Sequence, residues 1–83
     1  MTIYSCPPHC GDPAGPLPLD EGQAACDPRY MGRRFRLNGG TFICNDTGSA
    51  VYGTHVDLFF WDPTTGWGYL AVHGTTGELE WID

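Results

Sequence analysis

Two aspartates set eleven residues apart carry the strongest chemical signal in this chain. They lie in Asn45-Asp46-Thr47-Gly48-Ser49-Ala50-Val51-Tyr52-Gly53-Thr54-His55-Val56-Asp57-Leu58-Phe59-Phe60. Asp46 ends one apolar run, a loop containing Gly48 and Gly53 crosses over, and Asp57 opens the next run among Val56, Leu58, Phe59 and Phe60. Water is scarce in such surroundings. A carboxyl group that shares a strand face with Phe59 is partly desolvated, and desolvation favours the neutral form that a general acid must hold. Asp46, beside the hydrogen-bonding side chains of Asn45 and Thr47, is expected to be better hydrated, to stay ionised, and to push Asp57 the same way by like-charge repulsion. The plainer alternative makes both of them turn formers, because Asp side chains next to β loops commonly bond nearby backbone.

Other side chains cluster around the pair. His55, two residues before Asp57, falls on the same face of an extended strand. Tyr52 sits in the loop between the aspartates, where an exposed ring would stack on a sugar, whereas Trp61, Trp67, Trp81, Tyr30 and Tyr69 read first as packing. Arg29, Arg33, Arg34 and Arg36 are the whole positive charge of the chain, held within eight residues. They serve either internal ion pairs or contacts to carboxylates of a ligand. Cys6-Pro7-Pro8-His9-Cys10 puts three possible zinc ligands in five residues, with Cys26 as a fourth, but a second closely spaced cysteine pair is missing. Disulfides are the better expectation, and spacing leaves all three pairings of Cys6, Cys10, Cys26 and Cys44 open.

The elements that must hold these groups are short. Eighty-three residues make one domain, spanning 1–83, and a chain of this length buries only about 60% of the surface its unfolded form exposes. Twelve glycines and seven prolines are too many for a helical bundle, and they point to compact β structure. A net charge of -6 excludes general binding to a phosphate backbone, so no nucleic-acid partner is expected. No apolar stretch is long enough to span a bilayer. Met1 leads directly into a strand, while four cysteines imply an oxidising compartment, so an export signal is expected to have been removed and the protein to act outside the cell or in its envelope.

Strands are expected at 2–5, 23–26, 33–37, 41–45, 56–61, 67–72 and 78–82, each bounded by Gly, Pro or Asn. Residues 7–18 read as a proline-rich loop. Asn38-Gly39-Gly40 accepts the positive φ of a tight hairpin turn, and 62–66 and 74–77 supply further turns. Only 47–54 could hold a helical turn, and helix is expected below about 10% of the chain. So many short strands favour an all-β fold closed into a small barrel, which removes exposed edges.

The pattern Asp46-Thr47-Gly48-x-Ala50-x-x-Gly53-x-x-x-Asp57-Leu58-Phe59 resembles the signature of the 3D domain, named for three aspartates. That family includes the catalytic domain of membrane-bound lytic transglycosylase A and stationary-phase survival muralytic enzymes. Gln23-Ala24-Ala25-Cys26-Asp27-Pro28-Arg29 resembles the family's strand ending in Asp-Pro, and Thr2-Ile3-Tyr4-Ser5 resembles its opening Thr-x-Tyr strand. The resemblance implies a six-stranded double-psi β-barrel with Asp27, Asp46 and Asp57 at one groove. Asp57 would be the proton donor, Asp46 its neighbouring carboxylate and Asp27 a supporting acid, with Thr47, Gly48, Tyr52, His55 and Arg29 as glycan contacts. The implied substrate is cell-wall peptidoglycan, cut between N-acetylmuramic acid and N-acetylglucosamine without a cofactor or metal. Tyr52 stands where a lysine is common in the family. Thr54-His55-Val56-Asp57-Leu58 is also similar to an element of expansins and family-45 endoglucanases, which implies a cellulose-active enzyme or a non-catalytic wall-loosening module.

Overall fold

The computed structural model describes residues 1–7 and 10–82. Six strands form one mixed sheet: β1 (Thr2–Ser5), β2 (Gln23–Ala25), β3 (Arg34–Leu37), β4 (Gly40–Asp46), β5 (Asp57–Phe60) and β6 (Leu79–Trp81). Their spatial order is β1-β5-β2-β4-β3-β6. β1 runs parallel to β5 and β2 parallel to β4, while the β2–β5, β3–β4 and β3–β6 pairs are antiparallel. Among the described residues β1 and β6, at the two ends of that order, do not pair with each other, so the sheet is not closed. The fold is sheet-dominated, as the short apolar runs require.

The 33–45 hairpin follows from local chemistry. β3 alternates exposed Arg34 and Arg36 with buried Phe35 and Leu37, the period of a strand with one wet face. Asn38 and Gly39 turn the chain with φ of 52° and 81°, values that only Gly and a few small polar residues tolerate. The core lies on one side of the sheet, where Ala24, Cys26, Phe35, Leu37, Cys44, Val56, Leu58 and Phe60 pack together. The Cys26–Cys44 disulfide lies within it and joins β4 to the residue that follows β2, while a second disulfide links Cys6 to Cys10 outside it. Such bridges belong to proteins that mature in an oxidising environment.

The strand expected at 67–72 is instead helical. Pro63–His73 forms α1, raising helix to 18% of the described residues against 31% strand and overturning the expected ceiling. The turn expected at 62–66 is its cap and first turn: Asp62 accepts a hydrogen bond from the Thr64 amide, and Pro63 follows at the first helical position, where a missing N–H costs nothing. Gly74, with φ 76°, ends the helix as its amide bonds to the Leu70 carbonyl. The helix packs on β1 and β5 through Gly66, where a Cβ would sit 2.8 Å from the Ile3 Cδ1 atom. Residues 47–54, the one stretch with room for a helical turn, form a loop, and a short 3-10 turn lies instead at Pro28–Tyr30. Among the described residues no helix is long and apolar enough to cross a membrane.

Candidate functional site

One row across four strands builds the site. Thr2 of β1 lies opposite Asp57 of β5, Asp57 opposite Ala25 of β2, and Ala25 opposite Asp46 of β4. The last pairing depends on an irregularity: the register steps from Ala24↔Cys44 to Ala25↔Asp46, so Asn45 is passed over and Asp46 enters the row. A bulge of this kind re-aims a side chain at the edge of a site. Two strand spacings put the Asp46 and Asp57 backbones roughly 10 Å apart, with Ala25 of β2 between them. The result is a pocket of about 150 Å³ lined by Tyr4, Ala25, Asp46, Thr47, Gly48 and Asp57.

Backbone amides position one carboxylate and a hydroxyl the other. Asp46 accepts at Oδ1 from the Thr47 amide (2.8 Å) and from the Ala14 amide (3.1 Å), which ties the proline-rich segment to the pocket rim. Asp57 accepts at Oδ1 from the Thr2 hydroxyl at 2.8 Å. The same hydroxyl oxygen lies 3.1 Å from His55 Nε2, and His55 Nδ1 lies 3.3 Å from the Ala50 carbonyl oxygen. Burial, reinforced by the charges of Asp46 and Asp57, raises the Tyr4 phenol far above its ordinary range and keeps it protonated. A neutral phenol beside two carboxyl groups is a hydrogen-bond donor for a polar ligand.

Asp27 has a different environment. Its Oδ2 accepts from the Gly53 amide at 2.9 Å and pairs with the Arg29 guanidinium at 3.2 Å, while Oδ1 caps the 3-10 turn through the Arg29 amide. These backbone bonds, with the Arg29 side chain, hold its carboxyl below the usual carboxylate range. Asp27 is not in the pocket lining; it anchors the far side of the 47–56 loop, where Gly53 adopts φ 61°. Within that loop Val51 is buried and its amide bonds the Gly48 carbonyl, and a Cβ on Gly48 would press to 2.9 Å from the Val51 side chain.

The expected site residues therefore divide. Asp46, Asp57, Thr47 and Gly48 meet at the pocket; His55 reaches Asp57 through Thr2; Tyr52 is exposed on the loop with its hydroxyl donating to the Ser49 carbonyl; Arg29 turns toward Asp27. Arg36 pairs with Glu80, and Arg33 lies over the rings of Tyr30 and Trp81, themselves stacked at 4.2 Å. Of the candidate zinc ligands, Cys6 and Cys10 are bonded to each other, Cys26 is bonded to Cys44, and His9 lies outside the described residues. Among the described residues no group of three or more His, Cys, Asp or Glu is placed to hold a metal ion.

Residue reasoning overlooked Ala25 and the roles of Thr2 and Tyr4. Ala25 is chemically inert and matters by being small; Thr2 and Tyr4 carried a signal only in the Thr-x-Tyr resemblance. No protein-family model, curated protein or solved structure matches this chain. The functional reading accordingly rests on the pocket and on the motif.

Proposed function

We propose that the chain is a glycan-cleaving domain of the 3D type, acting on peptidoglycan by aspartate general acid–base chemistry. The observation that carries this is the meeting of Asp46 and Asp57, from two non-adjacent strands, at one pocket that also holds a neutral tyrosine. Asp57, fixed at one oxygen by Thr2, protonates the glycosidic oxygen between N-acetylmuramic acid and N-acetylglucosamine. The resulting carboxylate then takes the proton of the 6-hydroxyl as that oxygen closes a 1,6-anhydro ring, so one group serves as acid and then base. Asp46 stabilises positive charge developing on the sugar ring, Tyr4 donates to a sugar oxygen, and Asp27 keeps the 47–56 loop in place. Thr47 and Gly48 contact the glycan at the pocket, with Tyr52, His55 and Arg29 at its margins. The double-psi form of the barrel and a site of action in the cell envelope belong to the same proposal.

Asp57→Asn tests it. Loss of a catalytic acid lowers cleavage by about 10²- to 10⁴-fold, read as turbidity of a cell-wall suspension, while circular dichroism stays that of the parent. Released fragments one water lighter than hydrolytic products identify the anhydro ring. Retained cleavage in Asp57→Asn refutes the role of Asp57. A second reading, a neutral glycan such as cellulose as substrate or as the target of a non-catalytic wall-loosening module, is favoured by the net charge of -6 and the absence of lysine, which repel anionic wall polymers. Binding to insoluble cellulose without release of fragments would select it.

A further inference from the structure

We infer that His55 and the Thr2 hydroxyl form a proton relay to Asp57, a role that rests on the reading of Asp57 as the acid. The inference comes from counting hydrogens. The Ala50 carbonyl only accepts, so the His55 Nδ1 facing it carries a hydrogen, and Nε2 is the nitrogen whose protonation is free to change. The Thr2 hydroxyl has one hydrogen and touches both Nε2 and Asp57 Oδ1.

Two arrangements satisfy both the Nε2–Thr2 and the Thr2–Asp57 contacts. In the first, Nε2–H donates to Thr2 Oγ1 and the Thr2 O–H donates to Asp57 Oδ1, giving an imidazolium and a carboxylate. In the second, a protonated Asp57 Oδ1 donates to Thr2 Oγ1 and the Thr2 O–H donates to Nε2, giving a neutral imidazole and a carboxylic acid. Passing between them breaks the Nε2–H bond and the original Thr2 O–H bond and forms a new Thr2 O–H bond and an Oδ1–H bond. Two protons shift, one across each link, for a net transfer of one proton from His55 to Asp57; no heavy atom needs to move, and total charge is unchanged. A neutral imidazole opposite an ionised Asp57 is disfavoured, because one link must then set lone pair against lone pair. The pair thus holds one shared proton.

Other charged and polar groups face the relay. Tyr4 of β1 and Asp46 of β4 face Asp57 at the pocket, and the Met1 ammonium, with Thr75, Thr76 and Trp81, lines the depression on the His55 side. That depression, about 650 Å³, opens His55 to solvent while Asp57 lies in the smaller pocket. A proton taken up at His55 therefore reaches the acid without crossing the glycan site.

Thr2→Val removes the hydroxyl and keeps a β-branched side chain suited to a strand; Thr2→Ser keeps the hydroxyl. The Asp57 carboxyl-carbon and His55 imidazole-nitrogen NMR signals are followed against pH in each protein. The expected result is a shared inflection in the parent and in Thr2→Ser, lost in Thr2→Val, with Nδ1 protonated throughout. An inflection unchanged in Thr2→Val, or Nε2 as the protonated nitrogen of neutral His55, overturns the relay. The measurement needs no turnover: coupling seen in a protein inactive on every glycan upholds the relay and removes the acid reading, whereas cleavage without coupling does the reverse.

Discussion

Asn45→Ala tests whether the bulge that brings Asp46 to the pocket is held by side chains or only by strand pairing. Asn45 is 1% exposed and its amide is fully used: Oδ1 accepts from the Leu17 amide at 3.1 Å, and Nδ2 donates to the Leu17 carbonyl at 2.8 Å and to Gln23 Oε1 at 3.0 Å. Gln23 in turn donates to the Pro18 carbonyl, so one side chain fastens the proline-rich segment to β2 and β4. Each neutral bond contributes about 1 kcal/mol net, and three give about 3 kcal/mol. A domain of this size has roughly 4–12 kcal/mol in total at typical stability per residue, so the loss is a large share. At about 4–8 °C per kcal/mol, the melting midpoint falls by about 12–24 °C, measured by circular dichroism. Asn45→Asp should be at least as damaging, because it keeps the acceptor for Leu17, loses both donors and sets a buried carboxylate against carbonyl oxygens. A fall below about 4 °C in both variants refutes the claim that Asn45 holds the segment.

Two further outcomes follow from named contacts. Replacing Cys26 and Cys44 together by Ala should lower stability by about 3 kcal/mol, the chain-entropy value for a loop of this length, read as a shift in the urea midpoint, and no thiol should react in the parent until it is reduced. For Asp27 the folded carboxyl is held below its unfolded value by the Gly53 and Arg29 bonds, so the stabilisation is complete above the unfolded value near about 4 and is lost as pH falls through the folded one. The protection of the Gly53 amide, its exchange rate relative to the intrinsic rate at the same pH, should therefore fall on acidification in the parent, and Asp27→Asn should remove that dependence; equal pH dependence of protection in both would refute the anchor.

Why the strands could be read from the chain while α1 could not is a matter of where each buries its apolar surface. In β3 the alternation of Arg34, Phe35, Arg36 and Leu37 is itself the packing pattern, and the Asn38-Gly39 turn fixes the hairpin register locally. Trp67-Gly68-Tyr69-Leu70-Ala71-Val72 looks like a strand because it is aromatic and apolar without a helical stripe. The helix has none to show: its buried residue is Gly66, while Trp67 is 62% and Val72 78% exposed. Two glycines, each about 1 kcal/mol worse than Ala in a helix, are tolerated because the first allows close approach to Ile3 and Phe60. The usable signals were the ends, Asp62-Pro63 and Gly74, and they were outweighed by the composition between them.

The candidate site divides along the same line. Asp46 and Asp57 stand out because a carboxylate bordering an apolar run is costly, but which residues complete the pocket depends on strand order, and β1, β2, β4 and β5 meet through pairings of residues far apart in sequence. A one-residue slip of β4 would place Asn45 opposite Ala25 and turn Asp46 to the other face. The Asn45 contacts that anchor the proline-rich segment would be lost in that slip, and the Ala14 amide of the segment bonds Asp46. The stretch that looked like a featureless loop is thus coupled to the register that defines the pocket. If the chain cleaves glycan as proposed, weakening that segment should lower cleavage even where Asp46 and Asp57 are untouched.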